Sequence, residues 1–308
     1  MPVTTESAFT DIRRGDWVDR RVPAALRPYC RLARLDRPIG SWLLLLPCWW
    51  GLALAAPEGG WPSLRLLLLF TLGAIVMRGA GCTVNDIVDR DFDRRVTRTA
   101  GRPIASGAVS VPRAFLFLAL QLGLGLAILL QLGSLAFWLG CASLLLVAVY
   151  PFMKRFTYWP QAFLGLTFNW GALLAPAAAL GRIPPAAFAL YAAGIAWTLV
   201  YDTIYAHQDK EDDLLIGVRS TALKFGASSR RWLALFALLM LALLALAFVI
   251  GGLGLWAWTS LLLVALHLAW QIKAVDMESP ADCLAKFRAN RWLGLILFAG
   301  ILLARRFG

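Results

Sequence analysis

Acidic side chains are scarce in this chain, and histidine is scarcer still. Of 308 residues, 18 are Asp or Glu and two are His. His267 lies in an apolar run and His207 points away from the nearest acidic stripe, so a histidine general base is not expected. The cysteines have no CxxC spacing, which predicts small core residues and no disulfide or thiolate metal site. They are Cys30, Cys48, Cys82, Cys141 and Cys283.

Apolar residues dominate what remains. They make up 60% of the chain, and the mean hydropathy is +0.68. Several apolar runs reach the roughly 20 residues that a helix needs to cross a bilayer, so we predict a polytopic, all-α membrane protein. The net charge of +12 would suit a nucleic-acid partner, but the basic residues alternate with the apolar runs. That alternation predicts a lipid bilayer as partner and no nucleic acid.

Nine apolar runs are candidate spans. They lie near residues 40–57, 64–84, 114–132, 134–150, 161–180, 186–206, 232–251, 254–272 and 290–305. Of the 30 Lys and Arg residues, 25 fall on one side of these spans, which predicts that this side faces the cytoplasm. An odd number of spans places Arg305 and Arg306 on the opposite side, where they do not fit the charge pattern.

The chain divides into a basic amino-terminal segment, residues 1–38, and a transmembrane domain, residues 39–308. The first segment also carries acids, whereas organellar transit peptides are poor in them. These acids are Glu6, Asp11, Asp16 and Asp19. The composition therefore predicts a multi-pass protein of a bacterial cell inner membrane, with a cytoplasmic amino-terminal segment.

Half of the acidic residues are concentrated in two short segments. Residues 85–93 read NDIVDRDFD and residues 201–213 read YDTIYAHQDKEDD, and together they hold nine of the 18. Each segment lies at the end of a candidate span. Carboxylates at a membrane boundary lose solvation and repel one another, so we expect a divalent cation with oxygen ligands. A charged interfacial cap without metal is the plainer alternative.

Helical periodicity favours the metal. At about 100° per residue, the first segment aligns one stripe of polar groups and leaves Asp91 on the other side. That stripe is Asn85, Asp86, Asp89 and Asp93. The second segment aligns Asp202, Asp209 and Asp213, while Glu211 points away. A solvated charge run does not need such alignment.

The two segments also repeat. A shift of 116 residues places Asp86 on Asp202 and Asp93 on Asp209, with four spans between them. An even number of spans preserves orientation, so both stripes are expected on one side of the membrane. The predicted fold has about nine transmembrane helices in two pseudo-repeated four-helix halves plus one, with cytoplasmic acidic cap loops.

Basic residues follow each stripe. Arg98 and Arg102 lie in the turn-rich segment RTAGRPIASG, residues 98–107, and Arg219 and Lys224 follow the second stripe. Clustered carboxylates beside clustered cations suggest a phosphate bridged by Mg²⁺.

These motifs resemble those of the intramembrane aromatic prenyltransferase superfamily. Its signatures are NDxxDxxxD, matched by residues 85–93, and DxxxD, matched by residues 209–213. The resemblance runs from about residue 29 onward and is closest to the branch that prenylates 4-hydroxybenzoate in ubiquinone synthesis. The further segments that resemble this branch are residues 35–47, 150–165, 167–171 and 283–294.

The resemblance implies transfer of a polyprenyl group from polyprenyl diphosphate to the ring carbon ortho to the hydroxyl of 4-hydroxybenzoate. Two Mg²⁺ ions would be held by Asp86, Asp89, Asp93, Asp202, Asp209 and Asp213, aided by Asn85. The departing diphosphate would be stabilised by Arg98, Arg102, Lys154 or Arg219. An allylic cation then forms and the ring attacks it. Arg37 and Arg155 are candidates for the acceptor carboxylate, although Arg37 could touch the diphosphate instead.

Alternatives remain at this point. The same chemistry serves other acceptors, namely homogentisate, naphthoate, chlorophyllide and haem. A cation transporter also places carboxylates in spans, but near the membrane midplane. Aromatic residues such as Trp159 and Trp170 could line a prenyl channel, or could simply pack helices together.

Overall fold

The structure is a computed structural model that describes residue 12, residues 15–96 and residues 98–308, with only the backbone of residues 212 and 216. Glu6 and Asp11 lie outside this range. The protein is 76% helical, and the described residues contain no strand. The first seven helices are α1 Trp17–Arg21, α2 Arg27–Leu32, α3 Ile39–Leu54, α4 Leu64–Val88, α5 Arg90–Asp93, α6 Val111–Leu129 and α7 Ser134–Phe156. The others are α8 Pro160–Phe168, α9 Gly171–Leu180, α10 Pro185–His207, α11 Lys210–Ile216, α12 Thr221–Phe225, α13 Ser229–Ile250, α14 Leu255–Ala274 and α15 Pro280–Phe307.

The predicted spans correspond to helices throughout. Eight segments of the described chain are long and apolar enough to cross a membrane, and α3 is a ninth, shorter apolar helix. The predicted all-α membrane fold is therefore confirmed. Several bounds differ from the prediction. Helix α4 continues to Val88 and so includes Asn85 and Asp86, and α15 begins at Pro280, ten residues before the predicted start.

The order of helices agrees with the sequence repeat. Helices α3, α4, α6 and α7 form one series, and α8 with α9, α10, α13 and α14 form the second, followed by α15. A shift of 116 residues moves α6 to 227–245, close to α13 at 229–250. Each series also carries one short helix directly after its second span, namely α5 and α11.

The residues pack as two compact units. The first consists of residues up to 41 and residues 73–128, and the second of residues 42–72 and 129–308. The core of the first unit is a small apolar cluster made by Leu32, Ile87, Ile104, Val109 and Ala114. The division into 1–38 and 39–308 remains a prediction.

Helix α10 forms the centre of the second unit. It is apolar on all sides, and it is the most buried of the candidate spans, as expected for a helix without a solvent-facing or lipid-facing stripe. Its Trp197 is fully buried and donates from Nε1 to Asn290 Oδ1 at 2.8 Å. Asn290 in turn donates to Gln271 Oε1 at 2.9 Å, so one polar network joins α10, α14 and α15.

The fifth span is broken in its middle. Helix α8 ends at Phe168 and α9 begins at Gly171. Buried Asn169 donates to Gly165 O and to Thr198 Oγ1, both at 2.8 Å, and so bonds the broken span to α10. A Cβ atom at Gly194 would overlap the Asn169 side chain. The Asn169 side chain can therefore pack against α10 only because residue 194 is glycine.

Arg305 and Arg306 have a structural role that explains their place outside the charge pattern. Arg305 Nε donates to Leu54 O at 3.1 Å, where α3 ends with unpaired carbonyl groups. The backbone of Arg305 accepts from Gly59 N at 2.9 Å, and Arg306 donates to Gly59 O. Both residues therefore fix the loop after α3.

Candidate functional site

The first acidic cluster lies where α4 ends and α5 begins. Asp89 separates the two helices, so the single continuous helix assumed for the stripe is interrupted. The stripe nevertheless survives, because Asp89 N donates to Asn85 O and Asp93 N donates to Asp89 O, each at 2.8 Å and at helical spacing. Asp86, Asp89 and Asp93 are buried. The Asp91 side chain is 64% exposed, on the opposite side, as the periodicity predicts.

Two guanidinium groups hold this cluster. Arg34 Nη2 lies 2.6 Å from Asp86 Oδ1. Arg102 Nη1 lies 3.5 Å from the same oxygen and donates to both carboxylate oxygens of Asp93 at 3.0 Å. Burial raises the pKa of Asp93, and the Arg102 guanidinium opposes this shift. Asp86 Oδ2 is buried, with no hydrogen-bond partner among the described residues.

The turn-rich loop after α5 folds back onto the cluster and so positions Arg102. Thr99 Oγ1 donates to Asp93 O at 3.0 Å. Further along, Ile104 and Val109 join the apolar cluster of the first unit, which anchors the loop against α4 and α2. Arg98 is half-buried in the same loop. The structure therefore brings Arg102 to the first stripe, as predicted from the sequence.

The second acidic cluster has the same local design. Helix α10 ends at His207, and Asp209 precedes α11. Asp213 N donates to Asp209 O at 2.8 Å. Asp202, Asp209 and Asp213 are half-buried, whereas Glu211 is exposed. Helix α11 ends at Ile216, and the next residue, Gly217, has a φ of 73° that suits glycine and turns the chain towards α12.

Buried hydroxyl groups tie the loop that carries α11 to the rest of its unit. Thr203 and Thr221 share a hydrogen bond of 2.7 Å between their Oγ1 atoms, and Thr221 N donates to Gln161 Oε1 at 3.1 Å. His207 Nε2 lies 2.9 Å from Ser229 Oγ. His267 Nδ1 lies 2.9 Å from Gln271 Nε2. Each histidine is therefore hydrogen-bonded to a neighbouring side chain of its own unit.

The predicted cations of the second unit lie on two neighbouring segments. Arg219 N donates to Lys154 O at 2.8 Å, and Arg219 Nη1 donates to Phe156 O at 2.7 Å. Arg155 is stacked over the Phe152 ring at 5.6 Å. Lys154 and Arg219 are therefore adjacent through their backbones, at the end of α7 and in the loop after α11.

The aromatic residues considered for a channel are engaged in packing. Trp159 makes edge contacts with Phe225, Trp232 and Phe236. Trp170 donates from Nε1 to Leu139 O at 2.9 Å. These contacts correspond to the plainer of the two roles considered for them.

The donor set of the first cluster fits a hard divalent cation. It offers carboxylate and amide oxygens, and one buried oxygen of Asp86 has no hydrogen-bond partner within the described ranges. Within the part of the chain that the structure describes, no three Asp, Glu, His or Cys side chains already converge as metal ligands. In this arrangement Arg34 and Arg102 supply the positive charge beside the carboxylates.

Two basic residues in the first unit were missed by the sequence interpretation. Arg34 was counted only as topogenic charge, although it reaches Asp86 across 52 residues. Arg78 lies within α4, and a Cβ at Gly40 would overlap its guanidinium, so Gly40 makes room for it. A cation well inside a transmembrane run is a functional signal in itself, so Arg78 could have been identified.

Predicted Arg37 lies beside an acid that the sequence interpretation did not single out. Arg37 Nε is 3.6 Å from Asp36 Oδ2, and the Asp36 side chain is almost fully buried. Burial raises the pKa of Asp36, and the Arg37 guanidinium opposes that shift. Arg37 is therefore associated with a buried carboxylate of its own unit.

Sequence comparison places these features in a known family. The profile of the UbiA prenyltransferase family matches residues 44–295. The mitochondrial 4-hydroxybenzoate polyprenyltransferase of Arabidopsis thaliana is 52% identical, over 96% of this chain and 73% of the relative. The mitochondrial enzyme of that name from Bos taurus is 55% identical, over 91% and 76%. The 4-hydroxybenzoate geranyltransferase 2 of Lithospermum erythrorhizon is 47% identical, over 98% and 99%.

Solved structures agree with the fold. A UbiA homolog from Aeropyrum pernix K1 in its apo form has a TM-score of 0.72 and 26% identity, and the match covers 85% of this chain and 97% of that one. A UbiA homolog from Archaeoglobus fulgidus, bound to GPP and Mg²⁺, has a TM-score of 0.65 and 21% identity, over 89% and 99%.

The predicted location in a bacterial cell inner membrane is wrong by this comparison, because the relatives from Arabidopsis thaliana and Bos taurus are mitochondrial proteins. The prediction relied on acids in the amino-terminal segment, but Asp16 and Asp19 belong to the fold. Asp16 accepts from Asp19 N at 3.0 Å, and Asp19 lies 2.6 Å from Arg31. These acids therefore carry no information about targeting.

Proposed function

Because the chain belongs to the UbiA prenyltransferase family, we propose that it transfers a polyprenyl group from polyprenyl diphosphate to 4-hydroxybenzoate in ubiquinone biosynthesis. The group is attached to the ring carbon ortho to the hydroxyl. The main support is that relatives matching nearly the whole chain are named for this acceptor, whereas the prenyl group in their names differs between polyprenyl and geranyl. The acceptor is therefore the better-supported part of the proposal.

The first cluster is proposed to hold Mg²⁺ through Asp86, Asp89 and Asp93, with Asn85 as a further oxygen donor. Its support is the burial of all three carboxylates, together with Asp86 Oδ2, which has no hydrogen-bond partner among the residues that the structure describes. When bound, Mg²⁺ offsets the negative charge that develops on the leaving diphosphate. Arg102 is already beside the cluster, and Arg98 is in the same loop, so both are proposed to contact the diphosphate.

The second cluster is proposed to act in the same way through Asp202, Asp209 and Asp213. Lys154 and Arg219, which are adjacent through their backbones, are the proposed diphosphate contacts of this unit. Its design resembles that of the first cluster, with a short helix after a long span. This likeness supports the assignment of the same ligand chemistry to both.

The reaction breaks the bond between the donor's C1 and the diphosphate oxygen, and the electron pair leaves with the diphosphate. The ring carbon of the acceptor forms the new bond to C1, and loss of the ring proton restores aromaticity. That proton is acidic, so a carboxylate or the released diphosphate can take it. The hydrogen bonds of His207 to Ser229 and of His267 to Gln271 agree with a reaction that needs no histidine base.

Arg78 is proposed to bind the carboxylate of the acceptor. It lies seven residues before Asn85 on the same helix, so it is on nearly the same face and roughly 10 Å further along the axis. That separation leaves room for the aromatic ring between the acidic cluster and Arg78, with the acceptor carboxylate, which is meta to the reacting carbon, at Arg78. Arg37 and Arg155 remain the alternatives, but Arg37 is beside buried Asp36 and Arg155 is stacked on Phe152.

The direct test is transfer by the purified protein in lipid, with 4-hydroxybenzoate, a polyprenyl diphosphate, and either Mg²⁺ or EDTA. We expect 3-polyprenyl-4-hydroxybenzoate with Mg²⁺ and no product with EDTA. Turnover of homogentisate or naphthoate without turnover of 4-hydroxybenzoate would leave the family intact but reject the acceptor. Turnover that is equal in EDTA would reject the metal.

The acceptor assignment predicts a selective defect for Arg78→Met. Loss of a charge-assisted contact of about 1.5–3 kcal/mol should raise the KM for 4-hydroxybenzoate by about 10- to 100-fold. The KM for the prenyl donor should change by no more than about twofold on this assignment. Steady-state kinetics with each substrate varied separately measures both.

The matched control is Arg65→Met on the same helix. Arg65 is an exposed residue whose Nη2 lies 3.4 Å from Gln131 O, so neither KM should change. If Arg78→Met instead raised only the KM for the donor, Arg78 would belong to the diphosphate contacts. The acceptor role would then pass to Arg37.

A further inference from the structure

Arg34 adopts a backbone conformation that is unusual for its residue type. Its φ is 56°, and it is the one non-glycine residue with positive φ in the described ranges. L-amino acids other than glycine, asparagine and aspartate rarely adopt this left-handed conformation, since Cβ then crowds the following carbonyl oxygen. Such outliers persist where surrounding contacts determine them, often at functional sites.

The contacts of the Arg34 side chain explain the conformation. The side chain is 10% exposed, Nη1 donates to Arg31 O at 3.0 Å, and Nη2 lies 2.6 Å from Asp86 Oδ1. One terminal nitrogen of the guanidinium is therefore bonded to α2, and the other is bonded to an aspartate near the end of α4. A buried guanidinium requires such a paired arrangement.

The two oxygens of Asp86 have different surroundings. Oδ1 accepts from Arg34 and is 3.5 Å from Arg102 Nη1. Oδ2 is buried and has no hydrogen-bond partner in the described part of the chain. The Arg34 contact thus fixes the rotation of the carboxylate and leaves one oxygen available to a cation.

We propose that Arg34 is a positioning residue that orients Asp86 so that Oδ2 is presented to Mg²⁺. This inference rests on the proposed metal role of the first cluster. Partners that hydrogen-bond a metal-ligating group fix its orientation, and their loss commonly weakens metal binding by 10- to 100-fold. Arg34 acts through Asp86 and need not touch the metal or the diphosphate.

A competing electrostatic effect has the opposite sign. Removal of a positive charge near a cation site favours the cation, so if repulsion dominated, loss of Arg34 would tighten metal binding. The positioning role predicts weaker binding. The sign of the change therefore separates the two effects without any assumption about turnover.

The test is Mn²⁺ binding to the full-length protein in lipid nanodiscs, measured by electron paramagnetic resonance without substrate. Arg34→Gly removes the guanidinium. Because glycine adopts a φ of 56° without steric conflict, the variant does not add backbone strain. We expect the Kd for Mn²⁺ to rise by about 10- to 100-fold. Arg34→Lys keeps the charge but loses the two-armed contact, and it should raise the Kd less.

The matched control is Arg31→Gln. Arg31 Nη2 lies 2.6 Å from Asp19 Oδ1, so this variant breaks a pair of the same length in the same unit, away from the acidic stripe. Its Kd for Mn²⁺ should stay within about twofold of wild type, because it is not bonded to a proposed ligand. Thermal unfolding without metal measures the purely structural cost of each variant.

The outcomes are distinguishable. An unchanged or lower Kd in Arg34→Gly, with wild type binding Mn²⁺ and catalysing transfer, would overturn the positioning role and leave the proposed function in place. A lower unfolding temperature with an unchanged Kd would make Arg34 structural only. Absence of saturable Mn²⁺ binding in wild type would overturn the proposed metal role and this inference with it.

Discussion

Replacement of Asp89 with Asn should lower the turnover number for prenyl transfer by about a thousandfold, equivalent to roughly 4 kcal/mol of transition-state stabilisation. Asp89 is 1% exposed and lies between α4 and α5, where its backbone continues the helical hydrogen bonds. The amide is nearly isosteric, so it removes the negative charge that Mg²⁺ requires and little else. Turnover with saturating substrates and Mg²⁺ measures the effect.

Asp91→Asn provides the control for this prediction. Asp91 is two residues away, and its exposed side chain lies 3.7 Å from both Arg90 Nε and Arg94 Nη1. Surface ion pairs of this kind contribute little to stability, so the variant should stay folded. Its turnover should remain within about twofold of wild type. Equal losses of turnover in the two variants would mean that the total charge of residues 85–93 governs the reaction, and not the position of a carboxylate on the buried stripe. Near-normal turnover in Asp89→Asn would remove Asp89 from the proposed ligands.

Replacement of Asp209 with Asn should cause a loss of similar size, about a thousandfold in turnover. Asp209 precedes α11 and its backbone carbonyl accepts from Asp213 N, a bond that the change of side chain leaves in place. The reason for the loss is again removal of a proposed Mg²⁺ ligand. Higher Mg²⁺ should rescue this variant only partly, because one oxygen donor remains neutral.

Glu211→Gln is the corresponding control, since Glu211 is exposed two residues further on. Its turnover should remain near that of wild type. Thermal unfolding of Asp209→Asn should also match wild type, because the bonds from Thr203 to Thr221 and from Thr221 to Gln161 still hold the loop. If instead unfolding were strongly shifted, the loss of turnover would reflect folding and not ligation.

Hydropathy was sufficient to predict the nine apolar spans. It did not predict where the last of them, α15, begins. Helix α15 starts ten residues early, in a polar stretch that contains Asp282 and Lys286. These two side chains are paired at 2.8 Å along the helix, and Lys286 Nζ also lies 5.0 Å from the Trp270 ring centroid. A hydropathy window counts such charges as evidence against a span. It cannot register that neighbours compensate them.

Periodicity predicted which acids share a face, and burial agrees with it at Asp86, Asp89 and Asp93. The reason is that spacing along one helix is a local property, and it persisted through the break at Asp89. Contacts between distant segments are different. The approach of Arg34 to Asp86 depends on how α2 packs beside α4, and no local pattern encodes that distance.

The close fit of Asn169 against Gly194 has a consequence for evolutionary change in this chain. A methyl group at 194 has no room while asparagine occupies 169, and the side chain of Asn169 also bonds Thr198. Position 194 therefore cannot gain a side chain while asparagine occupies 169. Homologous chains with a larger residue at 194 should carry a smaller one at 169, so the two positions should covary.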